Sequence, residues 1–348
     1  MTDKNFCMSS YLAFRYVASP DTGFTDTMVP AYPEKPVKEI NDVASADDID
    51  AVIRKFLEEN FDEKTGILLS GGMDSAIIAA YLPEGTKAYS IRFIAPDAVD
   101  ETVMASVYAQ HYNLDFHVVE VTWEDYLKTG PSLMKKRKAP LHQIESAVYM
   151  AAKQAKKDGI DKLLMGNGSD YLFGGLTGLL SKDWTFDGLV ERYTIVKPEQ
   201  ALREPASIIP VYERFRTGKN SIDFFRFLED IHGIASIPSF ENPLSLAGVK
   251  SLEPYEAMHL SVPLDIERVR RGESKYLIRE LFGRKYPDLS APEKIPFKRP
   301  MDQWLEHWKG PERPEFIKNC TSEMTGDQKW LVFCLEWFLD LIDEGVLE

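Results

Sequence analysis

The sequence predicts an α/β fold, a parallel sheet with helices on both faces, followed by a mostly helical C-terminal part. Three observations carry this. From Asp47 onward, apolar strand-like runs alternate with segments of helical period. Two of those runs end in glycine-rich turns, and past Gly175 the pattern becomes aromatic-rich and helical.

Residues 1–46 carry Pro20, Pro30, Pro33 and Pro36 and little regular pattern, so an extended, linker-like lead-in is expected there. The spacing then predicts helices over 49–60, 75–82, 100–111 and 146–157. Strands are expected over 67–69, 86–93, 116–121 and 162–165. Further helices are expected over 222–231, 274–282 and 329–344. In a sheet of this kind ligands sit beyond the carboxyl ends of the strands. The turns after Leu69 and Met165 should therefore face one pocket.

Bulk properties narrow the function. At 348 residues, 44% apolar and 28% charged, the chain reads as an ordinary globular protein with one large or two medium domains. A net charge of −14 disfavours a general nucleic-acid surface and favours small substrates or protein partners. Cys7, Cys320 and Cys334 are widely spaced and without a CxxC pair, as expected of reduced structural thiols. The N-terminus lacks an apolar signal core and no apolar run approaches the roughly 18 residues of a membrane span, so a cytoplasmic location is expected. The basic cluster Lys135-Lys136-Arg137-Lys138 reads either as a targeting or phosphate-steering patch or as a solvated loop or helix end.

Residues 66–75, GILLSGGMDS, are the most informative stretch. A short apolar strand runs into Ser70-Gly71-Gly72, whose backbone amides can approach an anion, and a helix opens directly after it. Asp74 would repel a bare polyphosphate, so a Mg²⁺ bridging it to phosphate oxygens is the natural companion. The plainer reading is a turn that merely joins strand to helix. No lysine follows the glycines as in a Walker A loop, and no GxGxxG is present; Tyr171 stands where Gly166-Asn167-Gly168 would need its third glycine. That second turn, GNGSDYLFGG over 166–175, brings another acid, Asp170, which could help clamp Mg²⁺ or, more plainly, cap a helix.

Ser70 to Ser75 resemble the SGGxDS signature of the PP-loop ATP pyrophosphatases. With the second turn, the chain resembles the synthetase domain of the asparagine synthetases, whose second motif reads roughly GEGxDExFGGY. The likeness continues in Asp100-Glu101, His117, residues 140–149, Ser261 to Asp265, Lys275 to Arg279, and Glu293 to Phe297, which resembles the K-x-x-F element carrying a catalytic lysine. The segment from Tyr11 through Pro20 is similar to the family's linker, so the synthetase half is expected here without its glutaminase half.

The resemblance implies a PP-loop fold and carboxylate activation by ATP. It places pyrophosphate on Ser70, Gly71, Gly72 and Ser75, Mg²⁺ on Asp74 and Asp170, and a charge-neutralising role on Lys294. Backbone near Leu68, Ile91 to Phe93 and Gly166 would frame the adenosine. Residues 47–190 would form the ATP-binding core and 191–348 a helical region closing over the site.

Departures from the family pattern bear on the substrate. Asn167 replaces the Glu of GEG and is no general base at neutral pH. Tyr171 replaces a second acid, and Gln143 stands at a position matching an arginine, which counts against aspartate recognition. The β-lactam and carbapenam synthetases, similar to the same family, also lack that Glu and draw their base from a later one; here Glu241 and Glu256 are the candidates. The expected activity is an AMP-forming amide ligase joining a small carboxylate to ammonia or another amine, supplied free, by a separate glutaminase partner, or as an amine substrate. A degenerate nucleotide-binding regulatory subunit and a PP-loop enzyme acting on tRNA are the alternatives.

Overall fold

The computed structural model describes residues 1–32, 40–292 and 299–347. Its strands are β1 (Asn41–Val43), β2 (Thr65–Leu68), β3 (Lys87–Phe93), β4 (Asp115–Val121), β5 (Lys162–Leu164), β6 (Arg216–Gly218), β7 (Ser221–Ile222), β8 (Lys250–Leu252) and β9 (Met258–Leu260). Five of them form one wholly parallel sheet in the order β4-β3-β2-β5-β8. The chain builds outward from β2 through β3 to β4, then returns to the other side of β2 with β5. The sheet therefore has its topological switch between β2 and β5, where Ile67 lies beside Leu164.

Side-chain alternation along the strands feeds two cores. Ile67, Leu69, Ala88 and Leu164 pack on one face with the helices Ala46–Asn60, Met73–Ala79, Thr102–His111 and Tyr276–Lys285. Tyr89, Ile91, Leu163 and Met165 pack on the other with Trp123–Arg137, Glu145–Lys157 and Gly326–Asp343. The expected α/β architecture is present, with helices on both faces and a helical C-terminal part. A third, aromatic cluster of Phe14, Tyr193, Tyr212 and Phe227 ties the segment after the second turn to the N-terminal helix.

Several elements differ from the sequence expectation. Within the lead-in, Lys4–Phe14 is a helix capped by Asp3, and Cys7 to Phe14 are all buried. A further helix, Trp123–Arg137, runs through Gly130-Pro131; Gly130 is required because a Cβ there would come within 2.1 Å of the Trp337 ring. Where one helix was expected over 222–231, a short turn of α-helix, Phe224–Phe227, passes into a π-helix, Leu228–Gly233. The short edge strand β8 completes the sheet.

The basic cluster resolves into a helix end. Lys135, Lys136 and Lys138 are exposed, whereas Arg137 is fully buried and ion-paired with the equally buried Glu145. Glu145 also accepts from the His142 backbone N–H at 2.7 Å and from Asn242 Nδ2 at 2.7 Å. Among the described residues no helix is long and apolar enough to cross a membrane. Removing one partner of such a pair strands the other charge in the core, so Glu145→Ala should cost about 3–5 kcal/mol, read as a lowered urea midpoint.

Candidate active site

The two glycine-rich turns meet at the switch point of the sheet. Ser70 and Ser75 close the first: the Ser70 N–H donates to Ser75 Oγ at 3.0 Å, the two hydroxyls are 3.0 Å apart, and the Gly72 N–H donates to Ser70 Oγ at 3.2 Å. Gly166 opens the second, and a Cβ there would fall 2.9 Å from both Asp74 Cβ and the Ser75 nitrogen. Only glycine permits the two turns to lie this close.

A lysine that the sequence reading did not single out bridges the two motif acids. Lys275 Nζ lies 2.6 Å from Asp74 Oδ2 and 2.7 Å from Asp170 Oδ1 and is almost fully buried. Burial works against the ammonium, but Asp74 and Asp170 outweigh it and hold its pKa above the usual lysine value. Ser169 Oγ donates to Asp74 Oδ1 at 2.8 Å, completing that carboxylate's partners. Gly175 makes room for the arrangement, since a Cβ would come within 2.1 Å of Asp170 Oδ1 and 2.4 Å of Lys275 Cε. Lys275 itself adopts φ +53°, a left-handed conformation that costs a non-glycine residue about 1–2 kcal/mol.

Around these turns lies a cavity of about 1000 Å³, at the upper end of the range for small-molecule sites. Its walls include Leu68, Ser70, Gly71, Gly72, Asp74, Ser75, Ile91, Gly166 and Asp170. Phe93, farther along β3, is not among them; its ring stands edge-on to Trp304 at 5.8 Å. Lys294 lies outside the described residues. Lys275 also faces the cavity, and its place was readable only as the first residue of the family likeness over Lys275 to Arg279.

The structure separates the two candidate bases. Glu256 faces the cavity, and its Oε2 accepts from the Tyr171 hydroxyl at 2.7 Å. Burial and the Glu256 charge raise the Tyr171 phenol well above its usual range, so it stays protonated. Glu241 instead accepts from Ser251 Oγ on β8 and is not part of the cavity wall. Asn167 donates from Nδ2 to the buried Glu253 at 3.0 Å. Gln143 is fully buried, is not itself part of the cavity wall, and donates to the wall residue Asp327 at Oδ1, 2.7 Å away.

Asp74 and Asp170 fit a Mg²⁺ by donor chemistry. They are hard oxygen donors that already converge on a single cationic group. Among the described residues no cluster of three or more His, Cys, Asp or Glu is grouped to hold a metal alone, so phosphate and water oxygens would complete the set.

Comparison with known proteins agrees with this geometry. The family model described as asparagine synthase matches residues 51–227, just over half of the chain. The chain is also similar to a protein of Gibberella zeae named amidase chry2, 27% identical over 168 residues. That match takes in 41% of this chain and spans about a quarter, 25%, of the relative's own length.

Glu101, beside the first turn, gives the site a pH signature. Burial pushes its carboxyl up to about 7, against the opposing pull of the Gly71 N–H and Arg299. Between the ordinary carboxylate range and pH 7 the folded chain holds a proton that the unfolded chain has lost, so this group's contribution to stability falls as pH rises through that window. Urea midpoints measured across it should show a decline in the wild type that Glu101→Gln flattens.

Proposed function

The chain belongs to the asparagine synthase family, one of ATP-dependent amide-forming ligases, and from that premise we propose that it activates a small-molecule carboxylate as its adenylate and transfers ammonia or an amine to it. The observation that carries the reading is the Asp74–Lys275–Asp170 bridge set across two strand-end turns that share one cavity. A structural turn has no need of a buried, strained lysine held between two acids.

In this reading the substrate carboxylate oxygen attacks the α-phosphorus of ATP and the bond to the β-phosphate bridging oxygen breaks, releasing pyrophosphate. Ser70, Gly71, Gly72 and Ser75 bind the departing phosphates through hydroxyls and backbone amides, and Lys275 supplies a fixed positive charge beside them. Mg²⁺ held by Asp74 and Asp170 would offset phosphate charge. Leu68, Ile91 and the Gly166 backbone border the space for the nucleoside. Lys294 keeps, in this reading, the charge-neutralising role that the family resemblance implies.

The amine then attacks the acyl carbon, AMP leaves, and the amine's surplus proton has to go somewhere. Asn167 cannot take it, but the Tyr171 phenol can pass its own proton to Glu256 while accepting the amine's. Because the phenol is held neutral, Glu256 is the ultimate base and Tyr171 the relay.

Pyrophosphate release from Mg²⁺-ATP, measured over a panel of carboxylates with and without ammonium, hydroxylamine or glutamine, tests the assignment. Carboxylate-dependent release with trapping of a hydroxamate is the expected result, and ATP binding without release across the panel would favour a non-catalytic nucleotide-binding subunit. Asp74→Ala and Lys275→Ala should each slow release by about 10²-fold or more, the scale of losing one preorganised electrostatic group. Tyr171→Phe and Glu256→Gln should differ in kind: both retain carboxylate-dependent ATP–pyrophosphate exchange and lose amide formation by about 10²-fold or more. Equal loss of both steps would place the pair in binding rather than in proton transfer.

A further inference from the structure

One wall of the cavity carries Arg15, a cation with no ion pair among the described residues. Arg15 ends the helix Lys4–Phe14, whose last carbonyls accept from Ile195 and Val196 at 3.1 Å each, and this fixes Arg15 against the cavity. Its backbone N–H closes the helix onto Tyr11 at 2.8 Å. Its Nε is sealed from solvent and makes no hydrogen bond among the described residues.

The neighbours sharpen the picture. His142 lines the same cavity, and burial together with Arg15, Arg299 and Arg137 holds its pKa well below the imidazole range, so it is neutral. Its Nδ1 accepts from the Ile144 N–H at 3.3 Å, which leaves the proton on Nε2 as a donor. Arg299 is depressed by burial and further by Arg15, with Asp327 opposing. Asp327 Oδ2 lies 3.8 Å from Arg299, and its Oδ1 accepts from Gln143. The acid on this wall is therefore engaged, and Arg15 is not.

Arg15 also sits at φ +66°, the left-handed position at a helix end where glycine is the usual occupant. A bulky cation kept in a strained conformation, with its sealed Nε unpartnered among the described residues, is an observation that points outward, to a ligand.

We propose that this wall is an anion subsite: one of the two small molecules joined by the enzyme carries a carboxylate besides any that reacts, and that group is bound by the Arg15 guanidinium with His142 Nε2–H and Arg299 beside it. This rests on the ligase reading of the same cavity. The shared chemistry is a carboxylate on a small molecule, and it has two possible sources, a dicarboxylic acid that is activated at its other end or an amine nucleophile that is itself an amino acid.

Binding is tested first, without turnover. The full chain is titrated by calorimetry with succinate, glutarate, 4-aminobutyrate and L-glutamate, and with butyramide and succinamide as uncharged controls, at fixed ionic strength. At least one of the anions should bind and neither amide should. Arg15→Gly should weaken that binding by about 10- to 100-fold, the effect of losing a charged hydrogen-bonding partner. Glycine suits φ +66°, so this variant should melt no lower than the wild type, and a lost response cannot be put down to misfolding. Binding that survives Arg15→Gly unchanged, or no binding of any of these anions, overturns the subsite.

Pyrophosphate release separates the sources. If dicarboxylates support release and the matched monocarboxylates do not, the anion belongs to the activated acid. If monocarboxylates support release and only carboxylate-bearing amines yield amide, it belongs to the nucleophile. Arg15-dependent anion binding without any pyrophosphate release would sink the ligase reading and leave the anion site standing.

Discussion

The constraint on which the site depends is the close approach of two backbone turns at the switch point of a parallel sheet. The sheet order puts β2 beside β5, and both strands end at the same edge. Gly166 then lets the second turn come so near the first that a single methyl group would collide with Asp74 and Ser75. Bringing two acid-bearing turns together concentrates negative charge at one point, and Lys275 resolves it from a third element 201 residues away along the chain. Fold and electrostatics are thus one problem: the topology creates the carboxylate pair, and the pair fixes where the C-terminal helix Tyr276–Lys285 must begin.

The cavity carries placed cations among its acids that the whole-chain charge does not reveal. The molecule is strongly acidic, yet Lys275, Arg15 and Arg299 line the space in which small molecules would bind. In a low-dielectric cleft each placed charge, of either sign, counts for more than a solvated surface one, because exposed charges are screened within about 10 Å while those in the cleft are screened less. Net charge therefore informs on polyanion partners and says little about the sign of a pocket.

Much of the sheet was legible because it obeys local rules. The runs at Ile67, Lys87 to Phe93 and Phe116 to Val121 announce strands by period, and Ser70-Gly71-Gly72 announces a turn by composition. The failures have physical causes. Lys4–Phe14 is buried nearly all round, so it lacks the polar face that marks a helix in a sequence. The Gly130-Pro131 pair reads as a breaker, but a capping box at Thr122 and Asp125 and the ring of Trp337 hold that helix together. β8 is three residues long and owes its existence to β5 alone. At the site, Asp74 and Asp170 could be named because they sit in motifs, whereas Lys275 and Arg15 acquire their roles only from distant partners. Glu241 and Glu256 were indistinguishable as letters, and their separation is a matter of which way each side chain faces.

Asn167 illustrates how a lost charge can be a requirement rather than a defect. Its amide donates to Glu253, which is buried three residues before Glu256 on the same short segment. A carboxylate at position 167 would face Glu253 directly, and two like charges at hydrogen-bond distance in a buried setting cannot both stay ionised. One of them would take up a proton or swing away, and the segment carrying Glu256 would shift with it. The neutral amide satisfies Glu253 with a hydrogen bond, and so holds Glu256 where Tyr171 can reach it. Restoring a glutamate at position 167 would thus bring an acid back into the turn while disturbing the Tyr171–Glu256 pair that the present geometry offers in its place.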